Sequence, residues 1–431
     1  MQLVERLKKI WLNTNYPFLI SKNRKLKFSD ITNQNSIDLN IIQQGDVVAL
    51  IGDFNPETIL ILLKLIDMRV VIVPLTTETE NQHKYFFESA YVNVIIKNNK
   101  VIRLKHNKKH NLIEKIKKLN NSGLILFSSG TTGKPKAILH DLTRFLKRFE
   151  TPRPALRTIN FLLFDHIGGL NSLFHTLFNK GTVVAPGERS VENILQTCRQ
   201  FNVELLPTTP TFLKMMLIGG SIKRKVPKSL KIITYGTEKM DQVTLNSLCK
   251  LLPNIDFRQT YGMSECGILR VKSKSRNNLY IKIGGEGIKT KVIKNILYIQ
   301  SKSRMLGYLN VPSPFDTKGW FNTGDIVDEK DGFYKIVGRA NEIINVGGLK
   351  FMPLEVEQVA LSFPGILFAK AYPKNNPITT QHVEMSVQTK QSQQIDKKTL
   401  INFFNAKLPK HMVPKRITFE KIDIGHRLKR A

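Results

Sequence analysis

The sequence predicts an α/β protein. We expect a large amino-terminal domain of parallel-sheet αβ layers with a small antiparallel subdomain, then a small α+β carboxyl-terminal domain. Buried-strand patterns alternate with helical patterns up to Thr260, and short alternating strands replace them from Leu279 to Tyr334. A length of 431 residues exceeds what one hydrophobic core usually holds, so more than one domain is expected.

The alternation begins with the wholly apolar run Val47 to Ile51, which is typical of a strand buried on both faces. Such strands belong to parallel sheets, whose connections are usually helices. The next predicted elements are a helix opened by Asp53 to Pro56 and ending at Asp67, a strand Val70 to Val73, a helix Phe86 to Ala90, a strand Val92 to Ile96, a polar surface excursion Asn98 to Asn121, and a strand Gly123 to Phe127.

Polar loops follow three later strands at their carboxyl ends, where parallel sheets bind ligands. These loops begin at Asp165, Tyr235 and Tyr261. The predicted strands are Thr158 to Phe164, Thr182 to Ala185, Val203 to Leu206, Ile232 to Thr234 and Asp256 to Thr260; the predicted helices lie near Leu142 to Phe149, over Leu170 to Phe178, after the capping residue Ser190, and from Thr209-Pro210.

Turns at Lys294-Asn295 and Lys330 to Gly332 separate the short strands of the antiparallel subdomain. Gly338-Arg339 begins a last region that contains a predicted helix, Pro353 to Phe363. We therefore predict an amino-terminal domain over residues 1–338 and a carboxyl-terminal domain over residues 339–431.

The formal net charge of +32 is large. It is compatible with affinity for nucleic acid or membranes, with affinity for a polyanionic small substrate, or with the abundance of Lys, Asn and Ile that an AT-rich coding sequence produces. Lysines are scattered along the chain, and aromatic residues are not interleaved with basic runs. We favour the compositional interpretation for most of the charge and expect no nucleic-acid partner.

No stretch predicts a transmembrane segment or a secretion signal. The apolar run Val70 to Leu75 is too short to span a bilayer, and the amphipathic helix Met1 to Leu12 lacks a cleavage site. The three cysteines show neither metal-ligand spacing nor a disulfide framework. A cytoplasmic protein is expected.

The stretch Phe127 to Ala137 concentrates two glycines, four hydroxyl side chains and two lysines. Freed backbone N–H groups, hydroxyl donors and ammonium groups are what a polyphosphate needs around it. A Walker A loop is excluded, because only two residues separate Gly130 from Gly133 and Pro135 follows Lys134. The stretch is therefore predicted to be a phosphate-binding loop that differs from the Walker A loop. Its candidate phosphate-binding residues are Ser129, Gly130, Thr131, Thr132, Gly133 and Lys134.

Taken together, the motifs resemble the adenylate-forming superfamily, which includes acyl-CoA synthetases and peptide-synthetase adenylation domains. The resemblance runs from about Gly45 to Pro414 and rests on the phosphate loop, Tyr261 to Glu265, Leu306 to Tyr308, Thr323 to Asp325, Gly338 to Glu357, and Leu408 to Pro414. It implies that ATP and a carboxylate form an acyl-adenylate with release of pyrophosphate. A thiol, usually of CoA, then displaces AMP.

The resemblance also implies residue roles around the phosphates. Thr131 to Lys134 would hold the β- and γ-phosphates, Ser264 would donate to the α-phosphate, and Glu265 would bind Mg²⁺. Positioning and charge neutralisation supply most of the catalysis, because the carboxylate must attack a phosphate already surrounded by negative charge.

For the nucleoside, the resemblance places Tyr261, next to Gly262, on the adenine ring. Gly236 and Thr237 would line the adenine pocket. Asp325 would accept hydrogen bonds from the ribose hydroxyls, and Arg339 would support it.

His166, in Phe164 to Leu170, resembles the residue that closes the acyl pocket of acyl-CoA synthetases and senses ATP. In an amino-acid-activating domain an Asp holds the substrate amine at this point, and Asp165 could be read that way. The Gly168-Gly169 pair favours the CoA-ligase alignment. A buried histidine with a purely structural role is the third interpretation.

The carboxyl end departs from the family pattern, in which the adenylation lysine follows a glycine. The chain ends in Gly425-His426-Arg427-Leu428-Lys429-Arg430-Ala431. We predict that Lys429 takes the lysine's role, with His426 as the alternative. The resemblance further implies that the carboxyl-terminal domain is mobile and swings about a hinge at Asn341.

The leading hypothesis is an AMP-forming acyl-CoA synthetase that uses ATP, Mg²⁺, CoA and a small carboxylic acid. Transfer of the acyl group to an acyl carrier protein and a degenerate ATP-binding homologue are the alternatives. Walls of the acid pocket are expected around Phe161 to Leu170, Leu206 to Leu213 and Tyr235 to Glu238, whose Phe, Leu and Thr permit aromatic or medium aliphatic acids.

Overall fold

The computed structural model describes residues 3–22, 24–32, 37–105, 108–128, 133–218, 222, 226–285, 287–389 and 395–421. Within these residues, two sheets of mainly parallel strands are followed by an antiparallel sheet and a mixed sheet. The predicted α/β class is confirmed. No helix in these ranges has the length and apolar character needed to cross a membrane.

The first sheet contains the strand that leads into the phosphate loop. Its central strands are parallel, and Lys136–Asp141 runs antiparallel beside Gly123–Ser128. Across this sheet the described strands are, in order, Gly307–Tyr308, Lys136–Asp141, Gly123–Ser128, Val71–Leu75, Val47–Ile51, Val94–Lys97 and Lys100–Arg103.

The second sheet supplies the strand ends that carry the polar loops. All its strands are parallel except Arg24–Leu26. Across it the described strands are Asp256–Gln259, Ile232–Tyr235, Leu205–Thr208, Thr158–Ile159, Val183–Val184, Leu19–Ser21 and Arg24–Leu26.

The helices and the two sheets form alternating layers. Pro56–Asp67 and Ile167–Phe178 pack in a core shared by both sheets, together with Leu3–Trp11 and Leu142–Leu146. His83–Ala90 and Asn111–Lys118 cover the outer face of the first sheet. The outer face of the second sheet is covered by Val191–Gln200, Pro210–Ile218 and Gln242–Leu251. The layering brings the carboxyl ends of the parallel strands to one region.

The predicted antiparallel subdomain is a sheet of its own. Asn295 and Asp331, at its two predicted turns, have φ of +61° and +54°, the left-handed conformation that tight hairpins require. Its described strands are, in order, Val271–Ser273, Ile281–Ile283, Phe333–Arg339, Phe321–Lys330, Ile296–Ser301 and Ile288–Ile293; a short pair, Gly262–Met263 with Gly267–Ile268, stands apart.

A separate hydrophobic core lies near the carboxyl end, with buried members from Ile344 to Ile417. The helices Pro353–Leu361 and Lys397–Lys407 pack on its sheet. The strands of this sheet are Leu349–Phe351, Ile344–Val346, Thr380–Thr389, Ile366–Asn376 and Arg416–Phe419.

Three local features of the structure differ from what the sequence predicts. The supposed excursion Asn98 to Asn121 contains the strand Lys100–Arg103 and the helix Asn111–Lys118, whose Ile113 and Ile116 are buried. The strand Lys136–Asp141 was not predicted. The strand expected over Thr158 to Phe164 ends at Ile159, after which the chain turns into the helix Ile167–Phe178.

Candidate active site

The strand Lys136–Asp141 connects the phosphate loop to the rest of the candidate site. It pairs with Gly123–Ser128 on one side and with Gly307–Tyr308 on the other. Pro135, just before it, accepts hydrogen bonds through its carbonyl oxygen from the Tyr85 hydroxyl at 2.9 Å and from Asn310 Nδ2 at 3.0 Å. These contacts fix the chain immediately after the loop.

Two of the six predicted loop residues lie among the described residues. Gly133 has φ of +122°, which glycine adopts without strain. Lys134 is exposed, with Nζ 5.9 Å from the centroid of the Tyr85 ring. Ser129, Gly130, Thr131 and Thr132 lie outside the described residues.

Glu265 is held beside the strand that follows the phosphate loop. The Tyr308 hydroxyl donates to Glu265 Oε1 at 2.7 Å, and Tyr308 pairs in the sheet with Ile138. Burial, and then the negative charge of Glu265, raises the pKa of the Tyr308 hydroxyl, which therefore keeps its proton and donates. Lys136 Nζ lies 5.4 Å from the Tyr308 ring centroid. A carboxylate and an ammonium group thus flank the same tyrosine.

His140 makes a second contact between the same two segments. Its Nε2 lies 2.7 Å from the backbone carbonyl oxygen of Ser264. A carbonyl only accepts, so Nε2 carries the proton. Burial lowers the pKa of His140 to about 4, and the ring is therefore neutral at physiological pH. His140, on the strand Lys136–Asp141, thus holds the backbone next to Glu265 in place.

Tyr261, Asp325 and Arg339 form one hydrogen-bonded group. The Tyr261 hydroxyl donates to Asp325 Oδ2 at 2.5 Å, and Arg339 Nε lies 3.3 Å from Asp325 Oδ1. Asp325 and Arg339 face each other on paired strands. Thr323 Oγ1 accepts from the Asp325 backbone N–H at 3.0 Å. Sequence residues separated by up to 78 positions are therefore assembled around one carboxylate.

Asp325 is almost fully buried, with an exposed fraction of 5%. Burial raises the pKa of its carboxyl group above the ordinary value, although the Tyr261 hydrogen bond and the Arg339 charge act in the opposite direction. A buried carboxylate with fixed partners can accept hydrogen bonds in a defined direction.

The strand ends that carry Gly236 and Tyr261 are in direct contact. A Cβ on Gly236 would lie 2.1 Å from Thr260 Oγ1, and one on Gly262 would lie 2.6 Å from the Gly267 carbonyl oxygen. Thr237 has φ of +70°, which is unusual for a β-branched residue. Only glycine fits at the two close approaches.

His166 caps the helix Ile167–Phe178. Its Nδ1 accepts a hydrogen bond from the Gly168 backbone N–H at 3.0 Å. The ring is half-buried rather than buried, and the capping contact is compatible with a further role. Asp165 is buried beside it, with an exposed fraction of 6%.

The candidate adenylation residues Lys429 and His426 lie outside the described residues. Within the described part of the chain, no group of three or more His, Cys, Asp or Glu side chains could hold a metal ion. Glu265 is a single carboxylate with an oriented oxygen. That fits Mg²⁺, which is commonly held by one or two carboxylates together with substrate phosphates.

Several residues of this region received no role from the sequence. Tyr308 was part of a recognised motif, and its hydroxyl was the available signal. Lys136 was counted among the lysines of the phosphate stretch, but its position beside Tyr308 was not predicted. Tyr85 and Asn310 gave no signal, because their roles depend on contacts between distant segments.

The fold is found in solved adenylating enzymes. A crystal structure of the anthranilate CoA ligase AuaEII in complex with anthranoyl-AMP superposes with a TM-score of 0.81 at 16% identity, covering 100% of this chain and 95% of that one. Fold and motif arrangement together define a protein of the adenylate-forming type. A sequence profile described as AMP-binding enzyme matches residues 37–285, more than half of the chain, and the chain belongs to this family.

Curated relatives are named as ligases. The chain is 24% identical over 395 residues to 4-coumarate–CoA ligase-like 6 of Arabidopsis thaliana, covering 76% of this chain and 69% of the relative. It is 26% identical over 286 residues to the medium/long-chain-fatty-acid–[acyl-carrier-protein] ligase FadD10 of Mycobacterium tuberculosis, covering 58% of this chain and 52% of the relative. The chain thus spans about half the length of the second relative.

Proposed function

We propose that the protein is an AMP-forming carboxylate–CoA ligase. A carboxylate oxygen of the acid attacks the α-phosphorus of ATP, the bond to pyrophosphate breaks, and an acyl-adenylate forms. The CoA sulfur then attacks the acyl carbon, its proton is lost, and AMP leaves. The observation that carries the proposal is Tyr308, which pairs with the strand after the phosphate loop and donates to Glu265 at 2.7 Å.

On the phosphate side, Thr131 to Lys134 would hold the β- and γ-phosphates, and Ser264 would donate to the α-phosphate. Glu265 would hold Mg²⁺, which when bound neutralises phosphate charge. Lys136, next to Tyr308, would add a positive charge at the same place. The contact of His140 with Ser264 supports this arrangement, because it fixes the backbone on which the donor stands.

On the nucleoside side, Tyr261 would lie on the adenine ring, with Gly236, Thr237 and Gly262 lining the pocket. Asp325 would accept from the ribose hydroxyls while Arg339 and Tyr261 hold the carboxylate. This arrangement is supported by the hydrogen-bonded group that Tyr261, Asp325 and Arg339 form.

The second half-reaction would use a mobile carboxyl-terminal domain, residues 339–431. Support comes from the separate core between Ile344 and Ile417. Asn341, in the short turn Ala340–Glu342, would be the hinge. His166 would close the acid pocket, and Lys429, or else His426, would stabilise the adenylation transition state.

The acceptor of the acyl group is CoA in this proposal. An acyl carrier protein is the second candidate, favoured by the name of the FadD10 relative and by the net charge of +32, which would attract an acidic carrier. We expect either reaction to take place in the cytoplasm.

Pyrophosphate release with ATP, Mg²⁺ and a panel of carboxylic acids tests the first half-reaction. We expect release with at least one acid, and thioester formation when CoA is added. Faster transfer to a phosphopantetheinylated carrier than to CoA would favour the second candidate. Failure to bind ATP, with no release from any acid, would refute the proposal; ATP binding without release would indicate a degenerate homologue.

The adenylation residue is tested by two matched variants. Lys429→Ala should abolish adenylate formation, and His426→Ala should leave it nearly unchanged. The reverse pattern would transfer the role to His426.

A further inference from the structure

A basic cavity lies beside the candidate nucleotide site. Its volume is about 620 Å³, within the range of small-molecule pockets. It lies between the helix Ile167–Phe178, the second sheet and the antiparallel sheet, and its lining includes Asn171, His175 and Thr234. These differ from the apolar segments expected to form the acid pocket. The chemical character of the cavity is therefore set by its own lining residues.

Positive charge dominates the lining. It contains six basic side chains, Arg148, Arg153, Arg258, Arg270, Lys272 and Lys282, and within the described part of the chain it contains no carboxylate. Arg258 is neutralised by Asp256 at 2.7 Å. For Arg148 and Arg270, no ion pair occurs among the described residues at or below 4.0 Å.

Arg148 is the inner cation of this group. Its Nη2 donates to the Ile268 carbonyl oxygen, and its guanidinium lies 5.3 Å from the Phe145 ring centroid and 5.8 Å from that of Phe149. Its Nη1 is buried and makes no hydrogen bond within the described structure. A buried cationic donor without a partner is costly, so this geometry favours an anion as the missing partner.

The neighbours of Arg148 increase this cost. Burial and the positive charge of Arg270 lower the pKa of Arg148 to about 10. Burial, and then Arg153 and Arg148, lower the pKa of His175. Gln259 also lines the cavity, and its buried Oε1 makes no hydrogen bond to any described residue. Its amide can present either end to a ligand.

The cavity adjoins the residues assigned to the adenylate. Thr260, in its lining, directly precedes Tyr261 and contacts Gly236. Ile268, whose carbonyl accepts from Arg148, pairs with Gly262. An acid whose reacting carboxylate is at the adenylate would therefore extend its tail toward Arg148.

We propose, on the basis of the function above, that the acid substrate carries a second anionic group, a carboxylate in the simplest case, which Arg148 and Gln259 bind in this cavity. The Arg148 guanidinium donates to that group, and Arg270 adds positive potential. The substrate class is then a dicarboxylic acid. The phosphates of CoA are the other anions that could use the same cations.

The test is ATP–pyrophosphate exchange by the full chain without CoA. The probes are dicarboxylic acids from malonic to adipic acid, and terephthalic acid, each beside its monoamide, which has nearly the same shape but lacks the second charge. We expect kcat/KM for the best diacid to exceed that of its monoamide by about tenfold or more, as for a charge-assisted hydrogen bond. Arg148→Met should abolish this preference, mainly through KM, and Gln259→Met should reduce it. Lys147→Met, on the exposed neighbour, should keep it.

The ratio of the two acids separates binding from folding, because a misfolded variant loses both activities in parallel. If Arg148→Met does not fold, by its thermal unfolding midpoint, Gln259→Met decides. A wild-type enzyme that uses the monoamide equally well, or variants that keep the preference, would overturn the inference and leave the proposed function intact. Variants that keep the diacid preference in exchange but slow thioester formation once CoA is added would assign the cations to CoA and likewise overturn it. Absence of exchange with any acid would refute the proposed function itself.

Discussion

Tyr308→Phe removes one hydroxyl group from the candidate active site and leaves the ring in place. That hydroxyl donates to Glu265 Oε1 at 2.7 Å. The ring is buried, with an exposed fraction of 7%, and stays available to Lys136, whose Nζ lies 5.4 Å from its centroid. The substitution therefore tests the orientation of the Glu265 carboxylate alone.

The expected size of the effect follows from the charge of the acceptor. A hydrogen bond to a charged group contributes about 1.5–3 kcal/mol. Glu265 is only partly buried, so water can replace part of the bond and the lower end of this range applies. About 1.4 kcal/mol corresponds to a factor of ten in an equilibrium constant. We expect the Mg²⁺ concentration for half-maximal pyrophosphate release to rise by about tenfold.

The assay is initial-rate pyrophosphate release at saturating ATP and acid, with Mg²⁺ varied. High Mg²⁺ should largely restore the rate of Tyr308→Phe. The control is Tyr298→Phe, whose hydroxyl accepts from Asn322 Nδ2 at 3.1 Å on an exposed part of the antiparallel sheet. An unchanged Mg²⁺ dependence in a folded Tyr308→Phe protein would refute the assignment of Glu265 as a metal ligand oriented by Tyr308.

Three further changes test other parts of the site. His140→Phe should destabilise the protein at neutral pH by about 1–3 kcal/mol, because the Ser264 carbonyl loses its donor. The pKa of His140 falls from 6.5 to about 4 on folding, so the wild-type protein loses stability as pH falls through this window. Denaturation at several pH values should show that the variant takes up one proton fewer than the wild type on unfolding. Asp325→Asn should weaken ATP binding in calorimetry by about tenfold or more. Because folding raises the pKa of Asp325, wild type should gain stability relative to this variant as pH falls toward the ordinary aspartate range. Gly236→Ala places a Cβ 2.1 Å from Thr260 Oγ1 and should cost about 1–3 kcal/mol of stability and most of the adenylation activity, whereas Gly187→Ala, with nothing within 4 Å, should cost little in thermal unfolding.

The layered architecture was predictable because its signals are local. Val47–Ile51 is buried at every position, and an apolar run of this kind has few alternatives to a central parallel strand. The helix after Ser190 was equally clear, since the Ser190 hydroxyl accepts from the Asn193 backbone N–H and the apolar positions follow helical spacing.

The strand Lys136–Asp141 was not predicted, and it shows the limit of inference from local sequence patterns. Its residues mix Lys, His and Asp with apolar side chains, which is not the wholly apolar pattern of the other buried strands. It pairs with Gly123–Ser128 on one side and with Gly307–Tyr308, far along the chain, on the other. The contact between Tyr308 and Glu265 joins residues 43 positions apart. The basic cavity has the same origin, because Arg148, Gln259 and Arg270 come from separate segments and only the fold brings their charges together.

Arg339 contacts both the candidate ribose-binding carboxylate and the junction between the two proposed domains. Its side chain contacts Asp325, while its backbone N–H donates to Glu342, which also pairs with Lys239. A ribose that binds Asp325 would change the balance of forces on Arg339, at the first residue of the proposed carboxyl-terminal domain. Nucleotide binding and the conformation of the interdomain junction would then be thermodynamically linked, so that each biases the other by the same free energy.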